Sequence, residues 1–284
     1  MTESAFFSKS NTPLIMGILN VTPDSFYDGG EYTDIAAAVK HAQEMAEYGA
    51  KIIDVGGESS RPGAEPVDAQ TECSRVIPVI KEIAGRHDVT ISIDTTKAVV
   101  AEEALAAGAS IINDISGMRF DTRMVSVAKE YQADVVVMHM QGTPQNMQDN
   151  PHYTGWIIDE ISSFFDQRIA YLEKQGISRN KIILDPGIGF GKTVENNLDI
   201  IAHCDYFKQR FKLPLLIGPS QKSFIGHTLN AEGIDRVWGT AAVIAYLTAA
   251  GTDIIRVHHV REMVLVSSMI SRIYERKRDS VVMG

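Results

Sequence analysis

The feature that most constrains the fold is a repeated alternation of short apolar runs, rich in β-branched residues, with longer amphipathic segments. This alternation is typical of parallel strands joined by crossover helices, in which each strand precedes its helix. The predicted strands cover residues 13–20, 51–55, 90–94, 110–114, 134–139, 181–185, 213–218 and 253–258. The predicted helices cover residues 34–48, 68–86, 97–107, 121–131, 154–175, 193–211, 236–250 and 261–277.

Eight such units in one chain predict an α/β protein with a single (β/α)8 TIM barrel, a fold that commonly has about this length. The strands are apolar along nearly their whole length, as expected when both faces of a sheet are buried. A large doubly wound sheet is the alternative. No Gly-, Pro- or Ser-rich linker divides the chain, so we predict one barrel domain over 13–277, an N-terminal extension at 1–12 and a C-terminal tail at 278–284.

Composition excludes several classes of partner. Lys and Arg total 27 against 36 Asp and Glu, and the resulting net charge of −9 disfavours nucleic acid and anionic membrane surfaces. The longest stretch without charged residues, 237–252, is too short to cross a bilayer, and nothing in 1–12 is typical of an export signal. Only Cys73 and Cys204 occur, which argues against a disulfide framework or a Cys-rich zinc site. We expect a cytoplasmic protein that binds neither nucleic acid nor membrane.

Polar side chains lie at or just beyond the ends of the predicted strands. They are Asn20, Asp54, Asp94, Asn113, His139, Asp185, Ser220, Lys222, Arg256 and His258. Any one of them, taken alone, is more simply explained as a helix cap or, for His139, as a hydrogen-bonded core histidine. As a set they predict one ligand site, because the active site of such a barrel lies at the C-terminal ends of its strands.

The charges of this set describe the ligand. Carboxylates favour a ligand with several N–H donors, and cations favour an anionic or oxygen-rich group nearby, so we predict a ligand with two chemically different ends. Side-chain alternation along the last strand would place His258 and His259 on opposite sides, which weakens a zinc-site interpretation.

The glycine-rich segment 185–193 matches neither of two known phosphate-binding patterns. A Walker loop would need glycine in place of Pro186, and a dinucleotide-binding loop would need glycine in place of Lys192. We interpret the segment as backbone that passes close to a flat ligand beside Asp185, with Phe190 as an apolar wall; a tight turn without a ligand is the alternative. Two other long polar loops, 21–30 and 56–64, are candidate lids.

Eight segments carry a resemblance to a known family. They are LNVTPDSF at 19–26, DVGGESSRPGA at 54–64, SIDTTK at 92–97, INDISG at 112–117, MHMQGTP at 138–144, DPGIGFGK at 185–192, SQKS at 220–223 and RVHHV at 256–260. In this order and spacing they resemble the dihydropteroate synthases, a family of pterin-binding barrels. The resemblance implies a folate-biosynthesis transferase that joins 4-aminobenzoate to 6-hydroxymethyl-7,8-dihydropterin diphosphate and releases diphosphate with the help of Mg²⁺.

The resemblance also implies roles for the matching residues. Asp185 would accept the N–H donors of the aminopyrimidinone edge, Asn113 and Asp94 would complete the ring contacts, and Lys222 would meet the pterin carbonyl. The remaining substrate-binding residues would be Ser60, Arg61, Pro62, Phe190 and Ser223 around 4-aminobenzoate, Arg256 and His258 at the diphosphate, and Met138 and Ser220 beside them, with Asn20 as the Mg²⁺ ligand. The implied mechanism is an SN1-like displacement with Asp94, Lys222 and Asp185 as catalytic residues, in a homodimer.

Three positions depart from the family's usual residues. Gln221 and His259 stand where Arg and Asp are usual, and Ser60 stands where Thr is usual. The missing Arg leaves the strength of anion binding open. Two rival interpretations follow: a barrel methyltransferase that passes a methyl group from a folate to a corrinoid protein, and a pterin-binding paralogue without synthase activity. The methyltransferase offers no reason for Arg256 with His258, and a mere binder would not need both the cation-stabilising and the leaving-group residues.

Overall fold

The computed structural model describes residues 12–22, 31–59, 63–86 and 89–282, and all eight predicted strands are present in it. Every strand pairs in parallel with its neighbours. The strands are β1 (Leu14–Asn20), β2 (Ile52–Gly56), β3 (Thr90–Asp94), β4 (Ile111–Asp114), β5 (Asp134–Met138), β6 (Ile182–Asp185), β7 (Leu216–Ile217) and β8 (Ile254–Val257).

Helices follow each strand and cover the outer face of the sheet. They are α1 (Glu31–Glu47), α2 (Ala69–Ala84), α3 (Ala98–Ala106), α4 (Met124–Glu130), α5 (Ile157–Gln175), α6 (Val194–Ala202), α7 (Cys204–Phe211), α8 (Ser223–Leu229), α9 (Asp235–Ala249) and α10 (Val260–Val282). Of the helices in the described part of the chain, none combines the length and the apolarity needed to span a bilayer.

The strand order establishes a barrel. The hydrogen-bonded order is β6-β5-β4-β3-β2-β1-β8-β7, so β1 lies between β2 and the last strand. The remaining gap between β6 and β7 is bridged at Leu184 and Leu215, where Leu184 N–H donates to the Pro214 carbonyl at 2.9 Å. Because the sheet closes on itself, the predicted (β/α)8 barrel is confirmed, and the doubly wound sheet is not formed.

Three local features differ from the prediction. The seventh strand, expected over 213–218, has only two residues, because Pro214 has no N–H to donate and the Leu215 N–H donates to the Asp253 side chain instead. The helix expected over 193–211 is divided at His203, whose backbone (φ −116°, ψ 23°) is not helical. The segment after β7 contains α8, a separate short helix.

Candidate functional site

The barrel interior is built in layers that the two-residue period of strands explains. One layer is apolar and comprises Met16, Ile52, Ile111, Val136, Ile183, Leu216 and Ile254. Side chains two positions further along a strand point to the same face, so they form the next layer toward the C-terminal rim. On five strands that next layer consists of Asp54, Asn113, Met138, Asp185 and Arg256, and on β3 Asp94 follows the buried Ser92 in the same way. Five of the predicted strand-end residues therefore share one rim, namely Asp54, Asp94, Asn113, Asp185 and Arg256.

Arg256 is the centre of a charged network at this rim. Its Nε donates to Asp54 Oδ2 at 2.6 Å, and one terminal nitrogen donates to Asp94 Oδ2 at 2.7 Å. Asn113 Nδ2 donates to the same Asp54 oxygen at 3.0 Å. Asp54 is fully buried, and its Oδ1 has no hydrogen-bond partner among the described residues. Asp54 is a positioning residue that the sequence marked only as a polar strand end.

Burial dominates the electrostatics of Asp94. It raises the pKa of the carboxyl to about 7, against the lowering effect of Arg256 and with a further raising effect from Asp54. Asp94 therefore lies close to its protonation equilibrium near neutral pH, and a cationic group at the rim would shift it toward the charged form.

Asp185 ends β6 at the start of the glycine-rich segment. Its Oδ1 accepts the Gly187 N–H at 2.7 Å, and burial raises the pKa of the carboxyl to about 6 despite this bond and the nearby cations. Gly187 has φ +70°, and a Cβ built on it would lie 2.0 Å from the His139 carbonyl oxygen. Only glycine allows this close approach of two loops, which places the second oxygen of Asp185 at the rim.

Lys192 is a buried lysine whose importance the sequence did not reveal. Its Nζ donates to the backbone carbonyls of His139 at 3.1 Å and Phe190 at 3.0 Å, so it connects the loops after β5 and β6. Burial lowers the pKa of Lys192 to about 7, against the raising effect of Asp185. His139 itself is a core residue: it is buried, and its ring lies edge-on to Phe164 at a centroid distance of 5.1 Å. Its Nδ1 has no hydrogen-bond partner among the described residues, so the expected hydrogen bond of this nitrogen is not formed.

Phe190 and Lys222 face each other at the rim. Phe190 is 8% exposed and packs in an apolar cluster with Ile115, Met138, Met140 and Met147. Lys222 Nζ lies 4.2 Å from the centroid of the Phe190 ring, a cation–π distance. The two side chains together form one wall of the site, in which the Phe190 ring supplies the apolar surface and Lys222 Nζ supplies a positive charge over that ring.

The segment after β7 reaches the end of β8. Ser220 Oγ accepts the His258 backbone N–H at 3.2 Å and lies 3.0 Å from His258 Nδ1. His259 Nε2 lies 2.7 Å from Gln221 Nε2, so the two histidines contact consecutive residues of one turn. Strand β8 ends at Val257, so both histidines lie beyond the strand on which the expected alternation was based. Ser223 is exposed at the first position of α8.

Asn20 lies at the end of β1 opposite Gly56 in the strand register. Its side-chain oxygen would lie 3.8 Å from a Cβ on Gly56, and the Asp94 Cβ would lie 3.5 Å from that same position. Asn20 and Asp94 thus face the same part of the rim. The predicted substrate-binding residues Ser60, Arg61 and Pro62, and residues 23–30 of the first candidate lid, lie outside the described part of the chain.

A cavity of about 220 Å³ opens beside Asp94 between the loops after β2, β3 and β5. Lys97 lies in its wall and forms ion pairs with Glu58 and with the buried Glu72, the latter at 2.6 Å. Sequence reasoning assigned no role to this cluster. It ties the first part of the second candidate lid to the start of α3, because Glu58 belongs to that loop and Lys97 directly precedes α3.

Comparisons with known proteins identify the family. The model of the family described as "Pterin binding enzyme" matches residues 16–258. Dihydropteroate synthase from Synechocystis is 44% identical over 261 residues, which cover 92% of this chain and 90% of the relative.

Solved structures agree with this comparison. A dihydropteroate synthase from Clostridium difficile, crystallised in the presence of pteroic acid, has a TM-score of 0.88 and 44% identity over 94% of this chain and 99% of its own. Dihydropteroate synthase from Xanthomonas albilineans with 4-aminobenzoic acid has a TM-score of 0.86 and 38% identity over 93% of each chain. With its barrel and its polar rim, the chain therefore belongs to the pterin binding enzyme family and, within it, to the dihydropteroate synthases.

Proposed function

We propose that this protein condenses 4-aminobenzoate with 6-hydroxymethyl-7,8-dihydropterin diphosphate to give 7,8-dihydropteroate and diphosphate. The observation that carries the proposal is the buried Asp185 carboxylate, held at the centre of a rim that also presents Asn113, Lys222 and Arg256. A carboxylate in this setting suits the adjacent N–H donors of an aminopyrimidinone, and the cations suit the anionic ends of the two substrates. The relatives crystallised with pteroic acid and with 4-aminobenzoic acid support the same substrates.

In this proposal the pterin ring lies between the strand ends and the Phe190 wall. Asp185 Oδ2 accepts from the ring, since Gly187 already occupies Oδ1. Asn113 and Asp94 make the remaining ring contacts, and the buried Met138 forms part of the floor. Lys222 meets the pterin carbonyl and N5 side from above the Phe190 ring.

4-Aminobenzoate would occupy the outer part of the site. Its ring would pack beside Phe190, and its carboxylate would approach Lys222 and the exposed Ser223. The contributions proposed for Ser60, Arg61 and Pro62 concern residues outside the described ranges. Ser220 takes a supporting position in this proposal, because its hydroxyl is bonded to His258.

The diphosphate would lie against Arg256 and His258. Arg256 uses Nε and one terminal nitrogen on the two aspartates, which leaves other N–H groups of its fork for phosphate oxygens. His258 is exposed and, in this proposal, contributes its ring to the same anion. Binding of an anion here would compete with Asp54 and Asp94 for one guanidinium, so diphosphate departure is coupled to the charge on Asp94.

The Mg²⁺ ion expected from the resemblance fits the donor set. Mg²⁺ is commonly held by one or two protein oxygens together with substrate phosphates, rather than by an all-protein cage. The Asn20 side-chain oxygen is such a donor at the rim, and the described residues contain no cluster of three or more His, Cys, Asp or Glu side chains that could hold a metal. When bound, the ion would neutralise charge on the leaving diphosphate. Asn20 would hold it beside Asp94.

The chemistry we propose is an SN1-like displacement. The bond from the pterin methylene carbon to the diphosphate oxygen breaks first, and the bonding electrons leave with diphosphate. The amino nitrogen of 4-aminobenzoate then attacks the methylene cation and releases a proton to solvent water. Asp94 stabilises the developing positive charge, and a preorganised group of this kind contributes on the order of 3 kcal/mol. Asp185 and Lys222 hold the ring in the orientation that conjugates the cation.

We also propose that two copies of the chain form a dimer through α9 and α10. Apolar side chains are exposed at a spacing of four along α10, namely Leu265, Met269 and Ile273, and Trp238 on α9 is 74% exposed. The two helices pack against each other, and we propose that these side chains form one apolar surface. A surface of this kind is typical of a protein–protein contact. The cytoplasmic location stays a prediction that cell fractionation would test.

The test of the proposed function is identification of the product by mass spectrometry after incubation with both substrates and Mg²⁺. We expect dihydropteroate from the parent protein and far less from Asp185→Asn at the same substrate concentrations. Binding of the pterin diphosphate without product would instead favour the non-catalytic paralogue. Methyl transfer from a methylated folate to a corrinoid protein, without dihydropteroate, would favour the methyltransferase.

A further inference from the structure

Two consecutive residues after β7 contact two consecutive residues after β8. Ser220 bonds to His258, and one position further along both segments the side-chain amide of Gln221 lies 2.7 Å from His259 Nε2. The register of the two strands ends earlier, at Ile217 and Ile255. Side chains therefore continue the connection between the two segments beyond the part that backbone pairing holds.

Gln221 is fixed through its backbone as well. Its φ of +55° lies in the left-handed region, which is unfavourable for a residue with a Cβ and persists where surrounding contacts hold it. Its N–H donates to Thr240 Oγ1 on α9 at 3.1 Å, while its side chain contacts His259. Lys222 follows directly as the N-cap of α8, and its Nζ lies over the Phe190 ring. The conformation of Gln221 thus sets where Lys222 enters the site.

The contact joins two side chains that need no charge to bond. Gln221 Nε2 lies 2.7 Å from His259 Nε2, so a neutral His259 can accept a hydrogen bond from the Gln221 amide. An Arg–Asp pair would place two charges here, whereas a Gln–His pair gives a hydrogen bond without requiring charge. The side-chain amide of Gln221 contacts His259 rather than the open part of the site. We therefore assign Gln221 a contact within the protein and not a contact with a ligand.

We propose that Gln221 and His259 are a positioning pair that holds Lys222 against Phe190 and ties the Lys222 segment to the end of β8. The inference rests on the proposed function, because its importance lies in how Lys222 meets the pterin. The pair does not touch the substrates. Gln221 sets the direction of Lys222, which follows it in the chain. His259 holds the position of His258, which precedes it.

The test is a double-mutant cycle on the full-length protein. Gln221→Ala, His259→Ala and the double variant are compared for pterin diphosphate affinity by calorimetry and for KM and kcat. Gln209→Ala is the matched control, because it removes a glutamine that hydrogen-bonds to Asp205 on the exposed face of α7. An exchange variant that combines Gln221→Arg with His259→Asp tests whether another bonded pair serves as well.

We expect each single alanine variant to weaken pterin diphosphate binding and raise its KM about tenfold, with the double variant no worse than either single variant. The exchange variant should bind within about threefold of the parent, and Gln209→Ala should be unchanged. Multiplicative effects of the two alanine substitutions, or variants that match the parent, would overturn the proposal.

If the alanine variants fail to fold, the exchange variant decides the question. An exchange variant that binds the pterin diphosphate as the parent does supports the pair, and a folded exchange variant that has lost affinity contradicts it. A parent protein that binds the pterin but forms no product would refute the proposed function. The pterin diphosphate affinities of the variants would still test the positioning pair in that case.

Discussion

At the scale of single residues, Asp185 combines burial with an incomplete set of hydrogen bonds. Gly187 bonds to one carboxylate oxygen, and the other is left for a ligand at the rim. Its neighbours Lys192 and Lys222 lower the pKa but do not offset the effect of burial, which raises it. Such a carboxylate is poorly stabilised until N–H donors reach it. Ligand binding and the charge state of Asp185 are therefore linked.

Asp185→Asn keeps the shape of the side chain but removes its charge and replaces one acceptor with a donor. We expect pterin diphosphate affinity to fall about a hundredfold, roughly 3 kcal/mol, because hydrogen bonds to a charged acceptor are lost and a donor faces donors. Calorimetric titration measures this. Asp205→Asn, an exposed substitution on α7, is the control and should bind as the parent does. Equal affinities of Asp185→Asn and the parent would place the pterin elsewhere.

The raised pKa of Asp185 predicts an acid limb in the activity. Because burial raises the pKa to about 6, the carboxyl is protonated below that pH and cannot accept the pterin donors. Activity measured as kcat/KM for the pterin diphosphate should begin to fall below about pH 7, where Asp94 protonates, and the slope should steepen toward about a hundredfold per pH unit below about 6, where Asp185 protonates as well. An ordinary aspartate would retain activity to a pH about two units lower. A profile that is flat from pH 7 to pH 5 would contradict the ionised role of Asp185.

At the scale of elements, the glycine-rich segment after β6 is a turn that packs closely against the loop after β5. Its three glycines, Gly187, Gly189 and Gly191, have positive φ. Lys192 Nζ donates to the backbone carbonyls of Phe190 in this segment and of His139 in the loop after β5. The sequence alone excluded two phosphate-binding patterns and predicted close backbone approach. The approach is now seen to be toward the loop after β5, where the Gly187 Cα faces the His139 carbonyl.

Gly187→Ala should therefore be more destabilising than backbone conformation alone explains. A Cβ at this position would lie 2.0 Å from a backbone oxygen, so the two loops must separate. Gly251→Ala is the matched control, since Gly251 has φ +80° and a Cβ there would meet nothing within 4 Å. We expect about 1 kcal/mol for the control and at least twice that for Gly187→Ala in denaturant unfolding. Equal losses of unfolding free energy in the two variants would contradict this account, because they would mean that the loops separate without an energetic penalty.

The strand ends show what the sequence could predict and why. Asp94, Asn113 and Asp185 end apolar runs, and the two-residue period of strands then places them at one rim, so local pattern was sufficient. The Asp54–Arg256 contact joins residues 202 positions apart and has no local signal. Strand β7 was predicted, but it is shorter than the apolar run 213–218, because Pro214 within that run has no N–H for strand pairing.

Lys192 and the Gln221–His259 contact were missed for the same reason as the Asp54 contact. Both depend on loops from different strands meeting in space, and a lysine after glycines carries no pattern that distinguishes a buried group from an exposed one. The division of the helix at His203 is a further tertiary effect. The apolar period continues through 193–211, and the break is visible only in the backbone.

At the scale of the whole molecule, the apolar surface on α9 and α10 predicts self-association. Met269→Lys places a charge at 64% exposed Met269, in the middle of the exposed stripe on α10, which disfavours burial of that surface. We expect the parent to sediment as a dimer and the variant to shift toward monomer by at least tenfold in dissociation constant. Tyr131→Lys, at the end of α4, is the control for an exposed apolar residue outside this surface. A parent that sediments as a monomer would contradict the proposed dimer.

The whole barrel serves one reaction, in which the rim binds a pterin, releases diphosphate and joins an arylamine. The most direct measurement is diphosphate release from the parent protein with Mg²⁺ and the pterin diphosphate, with and without 4-aminobenzoate, alongside the amount of dihydropteroate formed. We predict that 4-aminobenzoate strongly accelerates release and that one dihydropteroate forms for each diphosphate. Tight pterin binding with no diphosphate release in either case would contradict catalysis by this rim.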